Sequence, residues 1–177
     1  MILIIDTSSS GIGLVLDGKY KFVETEKQSL SLPTETEKFL NENGAAWRDI
    51  TTIGIVVGPG SFTGIRLGIA YAKGIALGLN IPVVSINKFE IYLERDPDAF
   101  VAIESGKGDF FVGAKDLPPE IMTIEEVETK QFNYAKTVGH KLYDLADSMS
   151  VIARKLIASA EPVIPLYIRP SYAEIKN

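Results

Sequence analysis

The chain has 177 residues, 46% hydrophobic and 23% charged, which is enough for one sizeable domain or two small ones with buried cores. A net charge of -5 argues against a large phosphate-neutralising surface. With no cysteine and one histidine, His140, a disulfide framework, a thiolate zinc site and any two-histidine metal motif are excluded. No run is apolar enough for a membrane span and no basic segment precedes the first apolar run, so we expect a cytoplasmic protein.

The first half of the sequence predicts strands alternating with helices. The turn pair Asp17-Gly18 joins two strands, Pro33 lies near the start of the first helix, and Gly44 lies where that helix would end. Asn87 is a suitable N-cap for the last helix of this half. The predicted elements are strands at 2–5, 12–16, 20–25, 53–57 and 81–86, and helices at 32–40, 62–79 and 87–94.

The stretch 95–99 is the best candidate for a domain boundary and divides the chain into lobes 1–96 and 97–177. Beyond it, an apolar strand at 100–103 ends in Glu104 and Ser105, and an alternating strand follows at 110–114. This order resembles the start of the chain, so it indicates either an internal duplication or two hairpins that merely look alike. Farther on we expect an acidic helix at 120–130, a polar stretch at 135–148, an amphipathic helix at 151–159 and an extended proline-rich tail at 162–170 lying along another element.

A carboxylate and a run of hydroxyls close the first predicted strand, at Asp6, Thr7 and residues 8–10. Small side chains let backbone N–H groups approach an anion, and the carboxylate can hold a hydrated metal ion. An ordinary turn at a strand end uses the same residue types, so both interpretations remain open.

The segment GPGSFTG, residues 58–64, joins a buried strand to a long helix. It places free backbone N–H groups at the positive end of the helix, with Ser61 or Thr63 available as N-cap. Its spacing fits neither a Walker A loop nor a Rossmann fingerprint. It therefore predicts either an anion site or a tight strand-to-helix turn.

The helix at 62–79 is apolar nearly all round, since Arg66 and Lys73 share one narrow stripe. Such a helix must be covered on more than one side, by a partner subunit or by its own domain. The glycines at 64, 68, 74 and 78 would allow a partner helix to approach closely. The predicted partner interface comprises Leu32, Thr36, Phe39, Ile65, Gly68, Ile69, Ala72, Ile75 and Ala76.

Catalytic groups are scarce. Ser61 does not lie in a G-x-S-x-G nucleophile elbow, and no sequence motif pairs His140 with a second catalytic residue. Both observations argue against a serine hydrolase. The glutamates at 125, 126 and 128 are typical of a solvated helical face.

Four segments together resemble one protein family. They are IIDTSS at 4–9, VGPGSFTGIRLGIAYAKGIA at 57–76, AIESGKGDFFVGAKD at 102–116 and PLYIRP at 165–170. In this order they resemble the bacterial TsaB family, also called YeaZ, over nearly the whole chain. The middle segment is highly specific.

This resemblance implies an α/β fold of the actin/Hsp70/sugar-kinase type (ASKHA, ribonuclease H-like), with two similar lobes of which the second is reduced. It implies a non-catalytic subunit that dimerises and pairs with a TsaD-like paralogue. With a TsaE-like ATPase, that pair forms N6-threonylcarbamoyladenosine at position 37 of tRNAs reading codons that begin with A, using an adenylate from a separate synthase. ATP and magnesium are then expected to act in the partner subunits, so this chain requires no cofactor and holds no metal. The tRNA is expected to be bound only through the assembled complex.

A remnant anion or nucleotide site is expected in place of a full nucleotide cleft. Its acid on the second lobe is Glu104, where the fold more often has Asp, and the stretch before the first helix lacks the histidine often seen in the family. The predicted site residues are Asp6, Thr7, Ser8, Gly58, Gly60, Ser61 and Glu104. A stand-alone small kinase or ATPase and, less favoured, a glycoprotease-like peptidase are the alternative functions.

Overall fold

The computed structural model describes residues 1–131, 137–138, 146–156 and 162–169. A first sheet has five strands: β1 (Ile2–Asp6), β2 (Gly11–Leu16), β3 (Lys19–Glu24), β4 (Thr52–Gly58) and β5 (Val83–Asn87). Their order is β3-β2-β1-β4-β5. The first three strands are antiparallel neighbours, whereas β4 runs parallel to β1, and β5 runs parallel to β4. The three predicted N-terminal strands are thus confirmed.

The helices of this half are α1 (Gln28–Glu42), α2 (Phe62–Leu79) and α3 (Lys88–Arg95), with a 3-10 turn at Trp47–Asp49. The bounds of α2 match the prediction, and its N-cap is Ser61, whose hydroxyl accepts a hydrogen bond from Gly64 N at 3.2 Å. Asn87 caps α3 by accepting from Phe89 N at 2.9 Å.

The prediction for α1 is wrong at its start. The helix begins four residues earlier, so Pro33 lies inside it. Proline cannot donate the hydrogen bond that Ser29 O would accept in a regular helix. Both Ser29 and Pro33 are on the exposed side, where water can satisfy that carbonyl, and the helix continues through them.

The second sheet has four strands, β6 (Phe100–Glu104), β7 (Phe110–Ala114), β8 (Leu117–Met122) and β9 (Thr137–Val138), in the order β8-β7-β6-β9. Between β8 and β9 lies α4 (Ile124–Lys130). As in the first sheet, three antiparallel strands and a helix precede a strand parallel to the first one. This repeated order confirms a fold of two similar lobes, the second smaller.

The acidic helix predicted at 120–130 is wrong in its first turn, because residues 120–122 belong to β8. Edge strands tolerate prolines, and β8, with Pro118 and Pro119, lies at the edge of its sheet. The helix begins only after Thr123, which forms a capping box with Glu126. Residues 124–126 and 128 are exposed, as expected of a solvated face.

The last helix among the described residues, α5 (Ala146–Leu156), packs against α3 and against β1 and β5 of the first sheet. Met149 and Ile152 belong to a buried cluster that also contains Ile4 and Val101, one from each sheet. The helix predicted at 151–159 therefore starts five residues earlier. Its residues 157–159, His140 and most of the polar stretch at 135–148 lie outside the described residues. The division of the chain at 96/97 stays a prediction.

The C-terminal segment 162–169 is extended along α2, as predicted for the proline-rich tail. Leu166 N donates to Val57 O at 2.8 Å, and Lys73 Nζ donates to Val163 O at 3.3 Å. Arg66 Nε donates to the Tyr167 hydroxyl at 2.9 Å. Throughout the described part of the chain, every helix is too short or too polar to cross a membrane.

Candidate functional site

The candidate site lies where parallel strands of the first sheet end. Since β1, β4 and β5 run in the same direction, their carboxyl ends meet at one edge, which is where α/β sheets commonly bind ligands. This brings Asp6, Gly58 and Asn87 to that edge, and Lys88 follows Asn87 as the first residue of α3. Across a cleft lies the turn that joins β6 and β7.

The cleft contains two cavities. One, of about 520 Å³, is lined by Ser8, Ser9, Ser10, Thr25, Glu26, Gln28, Gly60, Ser61, Lys88, Ile103, Glu104, Ser105 and Gly106. The other, of about 610 Å³, is lined by Pro59, Gly60, Ser61, Phe62, Thr63, Arg66, Ser105, Gly106, Lys107, Phe111, Leu166, Tyr167, Ile168 and Arg169. Below they are called the serine cavity and the arginine cavity.

A buried chain of hydrogen bonds lies at the base of the serine cavity. Asp6 Oδ1 accepts from Ser8 N at 2.8 Å and from the Ser8 hydroxyl at 2.5 Å. The Ser8 hydroxyl accepts in turn from Lys88 Nζ at 2.8 Å. Asp6 Oδ2 lies 3.9 Å from the same ammonium group. The side chains of Lys88 and Asp6 are 2% and 1% exposed, so this ion pair is almost dry.

Tyr92 lies one helical turn after Lys88 on α3, and it is buried. Burial raises the pKa of its phenol, and the negative charge of Asp6 and the nearby Tyr20 raise it further. The phenol therefore stays neutral. Neither the Tyr92 hydroxyl nor Asp6 Oδ2 has a hydrogen-bond partner among the described atoms.

The glycine-rich segment packs directly on the turn between β1 and β2. Ser61 N donates to Ser8 O at 2.7 Å. A Cβ at Gly60 would lie 2.0 Å from Ser8 O, and the φ of Gly60, +156°, is one that other residues rarely adopt. The glycines thus permit close contact between two loops, and this contact uses an N–H group that an anion would need.

The side chain of Gln28, in the first turn of α1, fixes the same turn from the other side. Its Nε2 lies 2.8 Å from Ser9 O and 2.6 Å from Gly11 O. Three elements, α1, α3 and the glycine-rich segment, therefore hold the β1–β2 turn.

The structure brings together five of the seven predicted site residues. Ser8, Gly60, Ser61 and Glu104 line the serine cavity, and Asp6 lies beneath it. The other two do not line it. Thr7 is buried with its hydroxyl donating to Gly64 O at 2.7 Å, and Gly58 faces Leu166 and Ile65.

The sequence prediction missed Lys88 and Gln28. The partners of Lys88 are 80 and 82 residues away in the sequence, and those of Gln28 are 17 to 21 residues away, so no local pattern reveals either set of contacts. The only local signal for Lys88 is its position directly after a strand that ends at the same sheet edge as Asp6. Within the described residues, no group of three or more His, Cys, Asp or Glu side chains could hold a metal ion.

In the arginine cavity, Arg66 lies over the Phe62 ring, 3.8 Å from its centroid. Arg169 pairs with Asp109, which also accepts a hydrogen bond from the Ser105 hydroxyl. The Ser105 hydrogen bond, followed by the Arg169 charge, lowers the pKa of Asp109. These contacts attach the C-terminal segment to the β6–β7 turn.

Because the pKa of Asp109 is lowered, its ionised form stabilises the fold above the ordinary aspartate pKa of 3.8, and this contribution is lost as the pH falls through the lower folded value. We expect Asp109→Asn to lower the free energy of unfolding by about 0.5 kcal/mol near pH 7 and by less near pH 3. Urea unfolding at both pH values measures this. Asp98→Asn, at an exposed carboxylate, is the control, and an equal loss at both pH values would contradict the assignment.

The predicted partner interface is wrong in its choice of residues. Eight of the nine are buried, and only Ile75 is partly exposed, because α1 and α2 pack these side chains onto the first sheet. The opposite side of α2 faces solvent instead. Its exposed small or apolar residues, here called the outer stripe, are Ala70, Gly74, Leu77 and Gly78.

Comparison with known proteins decides the family. The family model of TsaD, tRNA N6-adenosine threonylcarbamoyltransferase, matches residues 24–132. The TsaB proteins named for tRNA threonylcarbamoyladenosine biosynthesis are similar as well. That of Buchnera aphidicola is 35% identical over 53% of this chain and 45% of the relative. That of Bacillus subtilis is 32% identical over 50% of this chain and 42% of the relative.

The chain belongs to the TsaD family. Among its relatives it resembles the TsaB (YeaZ) proteins. It spans about half the length of these curated TsaB relatives. The solved structure of YeaZ from Pseudomonas aeruginosa is 20% identical and has a TM-score of 0.72, covering 94% of this chain and 98% of that one. This likeness confirms the predicted α/β fold of two similar lobes.

Proposed function

We propose that this chain is a non-catalytic scaffold subunit for the formation of threonylcarbamoyladenosine in tRNA, and that it docks a TsaD-like paralogue through the outer stripe of α2. The family supports the pathway, because TsaB relatives carry the name of this biosynthesis. In this proposal a TsaE-like ATPase completes the complex, and ATP and magnesium act in the partner subunits. Without its partners the chain pairs with a second copy through the same stripe.

The outer stripe is the observation that carries this proposal. Apart from the neighbouring residues and backbone of α2 itself, no atom lies within 4 Å of where a Cβ on Gly74 or Gly78 would be, and the Leu77 side chain is 84% exposed. The stripe follows one side of the helix at i, i+4, i+7 and i+8. Small residues allow the backbone of a second helix to approach closely, and an exposed leucine gains by being covered.

The polar groups of the cleft favour a scaffold over an enzyme. The Ser61 hydroxyl caps α2 and has no general base among its hydrogen-bond partners. Asp6 Oδ1 is already engaged by Ser8, and Oδ2, although it accepts no hydrogen bond, is 1% exposed with the rest of the side chain and faces the ammonium group of Lys88. A nucleophile or a general base would need a free lone pair facing the substrate.

Reconstitution of tRNA modification tests the pathway. We expect the modified nucleoside to form with this chain, its TsaD-like and TsaE-like partners and threonylcarbamoyl-adenylate, and to fall at least tenfold when this chain is omitted. Nucleoside mass spectrometry of digested tRNA measures it. Full modification without this chain would overturn the proposal, as would modification by this chain alone.

The alternative, a stand-alone kinase or ATPase, predicts that the isolated chain binds and turns over ATP. Calorimetric titration with magnesium-ATP, with a phosphate-release assay, separates the two functions. We expect neither heat nor release from the isolated chain. Turnover that Asp6→Asn abolishes would favour the enzyme.

A further inference from the structure

The turn after β1 has the residue types that hold a hydrated magnesium ion with a nucleotide, but its surroundings do not fit one. Asp6 Oδ1 already accepts two hydrogen bonds, so only Oδ2 is open to a cation. A cation bound there at about 2.1 Å would lie within about 6 Å of Lys88 Nζ, since that nitrogen is 3.9 Å from Oδ2. Two positive charges so close in a buried place repel strongly.

The charges around the serine cavity also disfavour a polyphosphate. The charged side chains among its lining residues are Lys88, Glu26 and Glu104. The positive charge of Lys88 is offset by Asp6 beneath it. The two glutamates therefore leave the wall of the cavity negative.

Burial of the charged Lys88 side chain is unfavourable unless nearby groups compensate its positive charge. Lysine is almost never fully buried without a partner, and this side chain is 2% exposed. It is also the first residue of α3, where the helix dipole disfavours a cation. Asp6 and the Ser8 hydroxyl compensate it from the end of β1, which is separated from β5 by β4.

We propose that the ammonium group of Lys88 takes the place of a metal ion at the base of the cleft. It supplies the counter-charge for Asp6 and holds the hydroxyl of Ser8, so the β1–β2 turn keeps its shape without a divalent cation. The proposal concerns the cleft itself and does not depend on the role in tRNA modification.

Thermal unfolding of the whole chain tests the charge pairing. Lys88→Met leaves Asp6 buried without a counter-charge, and we expect the melting temperature to fall by roughly 10 °C. Asp6→Asn in the same chain removes that charge, so the double variant is expected to regain at least half of the loss. Lys38→Met, at an exposed lysine of α1, is the control with no expected shift. A double variant at least as unstable as Lys88→Met alone would overturn the pairing.

Binding of manganese alone, followed by electron paramagnetic resonance, tests the replacement of the metal. We expect the wild-type chain to show no binding that depends on Asp6 at millimolar manganese. Lys88→Ser, which frees the space and the carboxylate, should gain such binding, and Asp6→Asn in that chain should remove it. Wild-type binding that Asp6→Asn abolishes would overturn the proposal, and so would a Lys88→Ser chain that folds but binds none.

Discussion

Gly64→Ala is expected to lower the free energy of unfolding by about 3 kcal/mol, the upper end of the cost of overpacking a well-packed site. A Cβ built on Gly64 lies 2.0 Å from Thr7 O, a backbone atom. The two residues are also tied together, because the Thr7 hydroxyl donates to Gly64 O at 2.7 Å. The methyl group can be accommodated only if the β1–β2 turn moves away from α2.

Gly74→Ala on the same helix is the matched control. No atom outside the neighbouring residues and backbone of α2 lies within 4 Å of its Cβ position, so we expect a gain of up to about 1 kcal/mol from helix propensity alone. Urea unfolding of both variants, at a concentration where the chain sediments as a monomer, measures the difference. Equal effects of the two alanines would mean that the contact between Gly64 and Thr7 does not constrain the fold.

Local signals predicted most of the first lobe. The strands β1, β2 and β4 are continuous or alternating apolar runs, and a turn at Asp17-Gly18 joins β2 to β3. The N-cap of α2 and that of α3 were identifiable from the sequence. The start of α1 was predicted wrongly because a proline such as Pro33 usually indicates a position near a helix start. A proline inside a helix is tolerated where the carbonyl that loses its donor, here Ser29 O, is exposed to water, and that exposure depends on how the helix packs.

The candidate site was predictable in part. Asp6 and Ser8 follow one strand and Gly60 follows another, so parallel strands bring them together. Lys88 follows a third strand of the same sheet, yet a lysine at a helix start is usually a surface residue. Its burial depends on the contact with Asp6, which no pattern near residue 88 reveals.

The sequence indicated that α2 is apolar on most sides, but not which of these sides packs against the first sheet. Periodicity separates apolar residues from polar ones, and α2 is apolar on most sides. The larger side chains, such as Ile65 and Ile69, pack into the chain's own core, whereas Ala70 and Gly74 are exposed. The buried side also carries Gly64 and Gly68, which let α2 lie directly against Thr7, whereas Leu77 on the other side is 84% exposed.

Gly74→Leu is expected to weaken binding of the TsaD-like paralogue at least tenfold, which corresponds to about 1.4 kcal/mol. The outer stripe allows close approach only while its residues stay small, and a leucine at its centre holds a partner helix away. Because Gly74 is exposed and its Cβ position is open, the free energy of unfolding should change by less than about 1 kcal/mol. Calorimetric titration with the paralogue measures the affinity.

Two further variants make this result specific. Thr129→Leu adds the same side chain to an exposed position of α4 and should leave the affinity unchanged. Gly68→Val, on the buried side of α2, places a Cβ 2.3 Å from the Thr7 hydroxyl, so it should lose stability before it affects a partner. If Gly74→Leu binds as tightly as the wild type while Gly68→Val remains folded and does not bind, the partner contacts α2 elsewhere than at the outer stripe.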